Sequence, residues 1–311
     1  MNQDSTQALR AVLLPGFGVL RVAGADAASF LQGQFTHDTR LLEDGRTQLS
    51  ACCTSQGRVI ALARLRQTED AIHALLPAEL LGKVAAHLRK FVLRAKVEVL
   101  QAAELHVGAI LPGATTDPGV QRAFDEAAST MSPVPLAGST QVVSFQYASG
   151  REVVAAPAAA WRAISGLSLN RPNPRAQQEW TAADIADGLP QVFGGASEHF
   201  TPQMLNLDLI DAVSFTKGCY TGQEIIARTH HLGRVKRRAM RFVVPSGPVP
   251  APMSNLMLGG AKAADVLMTA ELLDRIEVFA VTNLDAQGQV LHTEDGREAT
   301  PRALPYVVSS G

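Results

Sequence analysis

The chain has 311 residues, of which 46% are hydrophobic and 18% charged, a globular composition that excludes a largely disordered chain or a coiled coil. The length predicts two or three domains. A formal net charge of −1 excludes a global attraction to nucleic acid or acidic lipid, so any such affinity needs a local patch.

Signals for compartment and membrane insertion favour the cytoplasm. Three cysteines are too few for a disulfide scaffold and fit a reducing compartment. No apolar run reaches the roughly 18–20 residues that cross a bilayer. The apolar stretch 11–20 has some likeness to a signal peptide, but Asp4 and the Pro15-Gly16 pair argue against export. We therefore expect a cytoplasmic protein.

The first hundred residues predict a mixed α+β unit. A strand is expected over 18–22, followed by a turn at Gly24 and a helix over 27–34 that Asp26 would cap. Then come a hairpin turn at 44–45, strands over 48–54 and 58–65, an amphipathic helix over 78–91 and a strand over 97–100. This order of elements is typical of an α+β sandwich.

The remaining chain divides near residue 240. A Pro- and Gly-rich connection over 110–140 leads to strands over 141–145 and 152–155 and to a helix over 157–165. Another helix starts near Ala176 and stops at Gly188 and Pro190, and Thr201-Pro202 opens a short one. After residue 240, short β-rich runs alternate with turns and predict a small β-barrel. Those runs are 240–244, 264–268, 277–281 and 289–292.

The densest group of chemically active residues lies around Cys219. Thr221 and Glu224 have the spacing of a capping box, which predicts a helix beginning just after the cysteine. The positive end of that helix and the nearby Lys217 would both favour the thiolate over the thiol. Gly218 and Gly222 would let the backbone bend around the sulfur. A buried, inert cysteine beside a capped helix is the alternative, and spacing alone does not exclude it.

Other candidate sites are weaker. Cys52 and Cys53 would point to opposite faces of a strand and read as small core residues. His230-His231 has no acidic or sulfur partner at metal-site spacing, so we predict no protein-bound metal. Trp161 and Trp180 could offer a stacking surface to a flat ligand, although core packing is the commoner role.

A concentrated set of positive charges follows the cysteine. The pattern favours a solvated face or an interdomain seam over contact with phosphate or a polyanionic tail, and a cluster of this kind does not read sequence by itself. The set consists of Arg228, Arg234, Lys236, Arg237, Arg238 and Arg241.

The segment Lys217–Glu224 resembles the KGCYTGQE signature of the folate-binding, iron–sulfur-cluster-assembly family, which includes the bacterial tRNA-modifying YgfZ-type proteins. The likeness continues through Arg228 and spans about residues 18–241. Its further blocks are 30–34, 53–58, 91–97, 188–190, 202–203 and 206–208.

The resemblance implies the α+β fold of the glycine-cleavage T-protein, with interleaved subdomains around a central folate channel and a C-terminal β-barrel. We expect the body over 1–239, its second subdomain over roughly 47–160, and the barrel over 240–311. The implied cofactor is tetrahydrofolate or a one-carbon derivative. Its implied contacts are Trp180, Phe17 in place of a family tryptophan, Tyr220, Gln223, Glu224 and Arg228.

The function implied is that of an accessory factor for assembly or repair of iron–sulfur clusters, including those of enzymes that modify tRNA. Cys219 would act as a thiolate, a transient cluster contact or a redox group, tuned by Lys217. The implied partners are iron–sulfur enzymes or assembly proteins, with tRNA reached through them rather than directly.

A folate-dependent one-carbon transferase is the alternative, but Ala61 and Leu62 stand where the T-protein has aspartates important for transfer. A direct tRNA-binding module is a third hypothesis. Whether the chain turns over a substrate stays open at this stage.

Overall fold

The computed structural model describes residues 11–42, 46–110, 142–163 and 173–308. The predicted turn at 44–45, nearly all of the connection 110–140 and the end of the predicted helix 157–165 lie outside these ranges. None of the helices within them is long and apolar enough to cross a membrane.

Two antiparallel sheets and most of the helices form the body of the molecule. Its strands are β1 (Ala11–Leu13), β2 (Phe17–Ala23), β3 (Thr47–Cys53), β4 (Val59–Gln67), β5 (Ala71–Pro77), β6 (Glu98–Gln101), β7 (Leu105–Ile110), β8 (Val143–Gln146) and β9 (Glu152–Pro157). Its helices are α1 (Ala27–Gln32), α2 (Leu81–Arg89), α3 (Ala158–Ala163), α4 (Pro174–Ala186) and α5 (Gln223–His231). Short 3₁₀ turns lie at Thr39–Leu41, Ala78–Leu80, Gly194–Ala196, Gln203–Leu205 and Leu284–Ala286.

The two sheets are interleaved along the chain. The first has the strand order β3-β4-β5-β2-β6 and the second β1-β7-β9-β8. The chain therefore begins in the second sheet with β1, crosses to the first with β2, and returns with β7. This arrangement confirms the predicted α+β class and its interleaved subdomains.

Most predicted elements of the first sheet are present, but β5 was missed. Each of its residues from Ala71 to Pro77 is buried, so the strand has no alternation of polar and apolar positions. Pro77, which directly precedes the helix predicted over 78–91, is the last residue of this strand. The helix predicted over 78–91 is shorter and begins with a 3₁₀ turn.

The predicted cap on α1 is wrong. Asp26 occupies the N-cap position but makes no side-chain hydrogen bond to the helix. Its Oδ2 accepts a hydrogen bond from the Lys96 backbone N–H at 2.7 Å. Gly24 has φ +118°, and a Cβ there would lie 2.1 Å from the Lys96 carbonyl oxygen. The turn before α1 therefore contacts the segment that leads into β6. This contact is long-range, so the local sequence does not reveal it.

Both faces of β3 and β4 are buried, each in a different core. Cys52 packs with α1 and α2, whereas Cys53 packs with α4 and the barrel strands. The opposite-face interpretation of these two cysteines is thus correct, and neither thiol is exposed to solvent. Burial raises the pKa of the Cys52 thiol to about 12 and that of Cys53 well above its ordinary value.

The C-terminal part forms a closed six-stranded barrel, as predicted. Its strand order is β10-β13-β12-β11-β14-β15. The strands are β10 (Arg237–Pro245), β11 (Asn255–Leu258), β12 (Ala261–Glu271), β13 (Arg275–Asn283), β14 (Leu291–His292) and β15 (Glu298–Arg302). The short strands β11 and β15 were not predicted.

The barrel is joined to the body by an ion pair as well as by apolar packing. Arg238 donates two hydrogen bonds to the Asp208 carboxylate, at 2.7 and 2.9 Å, and both side chains are over nine-tenths buried. Arg237 pairs with Asp265 on β12, and Arg241 pairs with Glu277 on β13. Half of the predicted basic cluster therefore stabilises the barrel and its seam with the body.

The Asp208 pair gives a test of this seam. We expect Asp208→Ala to lower the free energy of unfolding by roughly 3–5 kcal/mol, because it leaves the Arg238 guanidinium buried without its carboxylate. Asp274→Ala removes the exposed partner of Arg275 and should cost less than about 1 kcal/mol. Urea denaturation of both variants measures the difference. Equal losses would show that the Arg238 pair contributes no more than a surface ion pair.

Candidate functional site

Cys219 lies in the loop that leads into α5, and its side chain is exposed. The residues on either side of it explain this exposure. Lys217 and Tyr220 are buried, so they anchor the loop from below while Gly218 and Cys219 lie at the surface. The Thr221 backbone N–H also donates to the Gly33 carbonyl at 3.1 Å, which ties the loop to the end of α1. Since Cys52 and Cys53 are buried, Cys219 is the solvent-accessible thiol of the three.

The Lys217 amine points into the body. Its Nζ donates hydrogen bonds to the carbonyl oxygens of Phe35 at 2.7 Å and His37 at 2.9 Å. It also lies 4.9 Å from the centre of the Tyr220 ring. Burial lowers the pKa of Lys217 to about 8, an effect that Asp38 opposes and Arg40 reinforces. This amine fixes the loop after α1, and its proposed tuning of the Cys219 sulfur stays a prediction.

The helix after the cysteine begins later than predicted and without the capping box. Its N-cap is Gly222, at φ +84°, with no side-chain cap, and the first helical residue is Gln223. A Cβ on Gly222 would lie 2.5 Å from the Thr54 carbonyl oxygen, so this residue is packed against the turn between β3 and β4. The Gln223 side chain instead accepts a hydrogen bond from the Tyr220 backbone N–H at 3.2 Å. Tertiary contact, not a local side-chain cap, sets the start of the helix.

The other predicted residues on α5 lie toward the surface. Glu224 and Arg228 are exposed, and Gln223 is half-buried, while Ile226 anchors the helix in the core. Among the described residues, Arg228 has no carboxylate within ion-pair distance. His230 stacks on Phe215 with ring centres 3.7 Å apart. One side of the helix is therefore available to a partner next to Cys219.

A cleft of about 590 Å³ opens in the body, between the first sheet and the turn that follows β8. Its volume lies within the range of pockets for small molecules, roughly 300–1,000 Å³. Leucine, isoleucine and proline side chains form its apolar surface. Its chemically distinctive lining residues are His37, Gln48, Arg64, Tyr147, Asp187 and Asp211.

One wall of the cleft is a stack of cations and aromatic rings. The Arg64 guanidinium lies 3.6 Å above the centre of the Tyr147 ring, and Tyr147 contacts Trp180 edge to face. Arg151 lies 4.4 Å from the Trp180 ring and pairs with Asp184 and with the lining residue Asp187. Burial raises the pKa of Tyr147 to about 12, so its phenol stays protonated in this stack.

Several buried polar atoms around the cleft lack a hydrogen-bond partner within the described parts of the chain. They include the Nε and Nη2 of Arg64, the Oε1 of Gln48 and the Nδ1 of His37. Buried polar groups are nearly always paired in folded proteins, so such a concentration beside a cavity is typical of a ligand site.

The predicted aromatic contacts do not line this cleft. Trp180 is 1% exposed and lies behind Tyr147, with its indole N–H unpaired among the described residues. Phe17 is half-buried and packs edge to face on Phe193. Trp161 is a core residue whose indole donates to the His106 carbonyl. Sequence analysis missed Arg64, although one arginine within the apolar run 59–65 is itself a signal, since a charged residue is rarely buried without a reason.

The cleft and the cysteine loop share one segment of chain. His37 lines the cleft, and its carbonyl accepts the hydrogen bond from Lys217, two residues before Cys219. The His37 Nε2 is 3.5 Å from the Asp211 carboxylate at the rim. No cluster of His, Cys, Asp and Glu able to hold a metal ion occurs among the described residues.

Gly222 and Gly218 form a matched pair for testing the local geometry. We expect Gly222→Ala to destabilise the protein by about 2–4 kcal/mol, because the side chain meets the Thr54 carbonyl in a left-handed backbone conformation. Gly218 has open space around it, so Gly218→Ala should change stability by less than about 0.5 kcal/mol. Thermal denaturation compares the two. If both variants melt with the wild type, the contact between Gly222 and the β3–β4 turn is not a constraint.

Lys217 predicts a pH dependence of stability. Between pH of about 8 and 10.5 the unfolded chain holds a proton on this amine that the folded chain has lost, so unfolding becomes less favourable as pH rises. The free energy of unfolding of the wild type should therefore rise relative to Lys217→Met, by up to about 1.4 kcal/mol per pH unit. Denaturation from pH 6 to 9.5 measures this difference. Below pH 7 it should be constant, and parallel profiles throughout would contradict a buried, depressed amine.

Known proteins match this chain along most of its length. The tRNA-modifying protein YgfZ of Colwellia psychrerythraea is 33% identical over 224 residues, which cover 72% of this chain and 68% of the relative. That of Yersinia pseudotuberculosis is 28% identical over 309 residues, 96% of this chain and 92% of the relative. No family model matches.

The fold matches that of a solved transferase. The crystal structure of the glycine cleavage system aminomethyltransferase T from Bartonella henselae superposes with a TM-score of 0.71 at 15% identity, covering 96% of this chain and 86% of that one. This likeness shows the fold alone. The identity to the Colwellia protein shows more, because it extends over two thirds of both chains. The chain belongs to the YgfZ family of tRNA-modifying proteins.

Proposed function

We propose that this protein binds tetrahydrofolate, or a one-carbon derivative of it, in the cleft and supports assembly or repair of iron–sulfur clusters through Cys219. Its clients would include cluster enzymes that modify tRNA. The observation that carries the proposal is the pairing of a polar-lined cleft with one exposed thiol, joined through the Lys217–His37 hydrogen bond.

The cleft suits a folate on chemical grounds. A pterin presents both hydrogen-bond donors and acceptors on a flat ring, and it can meet the unpaired Oε1 of Gln48, an acceptor, and the unpaired Nδ1 of His37, which donates or accepts according to its tautomer. The apolar lining suits the aminobenzoyl part of the molecule. When bound, a reduced folate supplies a carrier for a one-carbon unit. Of the predicted contacts, Trp180 would then support the cleft wall from behind, and Phe17 would act from the far side. The other predicted contacts would act from the cysteine loop and from α5; they are Tyr220, Gln223, Glu224 and Arg228.

The cysteine loop suits a partner protein. Cys219 is exposed in the loop that leads into α5, and Glu224 and Arg228 of that helix are exposed as well. No cluster of metal-binding side chains occurs among the described residues. We propose that a client presents the cluster to this sulfur. In this mechanism Lys217 and Gly222 position the loop, and Cys219 is the group that touches the client.

The rival functions are less well supported. Ala61 and Leu62 are buried in apolar cores, so the positions that would carry the aspartates of an aminomethyl transferase hold no carboxylate here. Arg237, Arg238 and Arg241 are bound to carboxylates, which leaves Arg228, Arg234 and Lys236 as the exposed part of the basic cluster. This small patch supports indirect contact with tRNA, through client enzymes, over direct binding.

The thiol is tested by complementation. In a bacterium that lacks its own homologue, we expect Cys219→Ala to reduce cluster-enzyme activity and cluster-dependent tRNA modification to the level of the empty vector. Because the side chain is exposed, its removal should change stability by less than about 0.5 kcal/mol and leave tetrahydrofolate affinity unchanged.

Two controls accompany this experiment. Cys52→Ala alters a buried thiol and should still complement. In the folded wild type, a thiol reagent should label one of the three cysteines, and the Cys219→Ala variant should not be labelled. Full rescue by Cys219→Ala would remove the thiol from the mechanism, and the absence of tetrahydrofolate binding by the wild type would remove the folate.

A further inference from the structure

Arg64 is a buried cation that lines the cleft and has no carboxylate within ion-pair distance among the described residues. The residue lies on β4 and is 5% exposed, within a strand whose neighbours are buried and apolar. Its Nε and Nη2 are both buried, and neither has a hydrogen-bond partner among the described residues. These two atoms donate along the same edge of the guanidinium, the edge suited to two parallel hydrogen bonds.

The same protein shows what this edge binds. Arg40 uses its Nε and Nη2 to hold the Asp38 carboxylate at 2.9 and 2.6 Å. Arg241 uses the same pair of atoms to hold Glu277 at 2.9 and 3.1 Å. In both pairs a carboxylate takes one hydrogen bond on each oxygen. Arg64 presents an equivalent edge, and no carboxylate of the described residues is hydrogen-bonded to it.

The two nearby acids lie beside another cation, although the Asp184 Oδ1 makes no hydrogen bond within the described parts of the chain. Arg151 lies 2.8 Å from Asp184 Oδ1 and 2.6 Å from Asp187 Oδ2. Asp184 is close enough for Arg64 to lower its pKa, although burial raises that pKa more. The Tyr147 ring supports one face of the Arg64 guanidinium at 3.6 Å, which restricts its orientation.

We propose that Arg64 binds a carboxylate of the cleft's ligand side-on, through Nε and Nη2. A buried guanidinium without hydrogen-bond partners is costly, and a carboxylate arriving with the ligand satisfies both donors at once. The inference rests on the proposed function for the identity of that ligand. In tetrahydrofolate the matching group is a carboxylate of the glutamate tail, so Arg64 selects the tail and not the pterin ring.

Isothermal titration with two probes tests this assignment. Tetrahydrofolate carries the glutamate tail, whereas 6-methyltetrahydropterin has the same ring without it. We expect Arg64→Met to weaken tetrahydrofolate binding by roughly 10- to 100-fold, the effect of losing charge-assisted hydrogen bonds, and to leave binding of the pterin unchanged. Arg64→Lys keeps the charge without the two-donor edge and should recover only part of the loss.

Arg66→Met is the matched control. Arg66 lies two residues further along the same strand, is half-buried and does not line the cleft. Its substitution should leave both affinities at the wild-type value, and thermal denaturation confirms that each variant is folded. Unchanged tetrahydrofolate affinity in Arg64→Met overturns the inference. So does an equal loss for both probes, since it would place Arg64 against the ring.

A third probe separates this inference from the proposed function. p-Aminobenzoylglutamate carries the tail without the pterin. If the wild type fails to bind tetrahydrofolate but binds this probe in an Arg64-dependent manner, the folate proposal fails and the carboxylate site stands. If tetrahydrofolate binds with equal affinity to the wild type and to Arg64→Met, the folate proposal stands and the carboxylate site fails. Binding of neither probe by the wild type overturns both.

Discussion

A buried amine bound by two carbonyl oxygens is the contact on which the site depends. Lys217 reaches from the cysteine loop to the Phe35 and His37 carbonyls, which belong to the segment that follows α1. Burying an amine costs free energy unless hydrogen bonds replace water, and here the two carbonyls do so in part. The depressed pKa of Lys217 reflects the remainder of that cost. These two hydrogen bonds hold the exposed thiol at a fixed distance from the cleft wall.

The fold could be predicted where hydrophobic residues recur with the period of a helix or a strand, or where turn residues mark the end of an element. The strands β3 and β4, the helix α4 and the barrel strands β10, β12 and β13 all follow from runs or turns that end at glycine or proline. The strand β5 could not be predicted in this way, because it is buried on both faces and lacks alternation. The role of Asp26 could not be predicted either, since its partner Lys96 lies 70 residues away.

The same contrast between local sequence signals and long-range contacts applies to the candidate site. The signature around Cys219 predicts a functional loop, and this stays a prediction; the structure shows that the thiol is exposed. The capping-box rule failed at Thr221 and Glu224 because the packing of Gly222 on the β3–β4 turn determines where α5 begins. The cleft could not be predicted at all, since its walls come from β3, β4 and several loop segments that are far apart along the chain. The roles assigned to Phe17 and Trp180 stay predictions, because neither residue lines that cleft.

The distribution of charge argues that cleft and thiol perform different tasks. The cleft wall holds Arg64 and Arg151 close to Asp184 and Asp187, and within the described residues each of the two guanidinium groups keeps at least one buried donor without a hydrogen-bond partner. Ala61 and Leu62 turn into two apolar cores, so the first sheet offers the cleft no carboxylate at those positions to orient an amine. A cleft built this way favours holding a ligand over transforming it. We therefore place the chemistry at the surface, on the exposed Cys219. The shared 35–37 segment connects the loop of this cysteine to the ligand of the cleft. Under the proposed function, the folate would then act as a bound regulator or structural cofactor, and the thiol would contact the client.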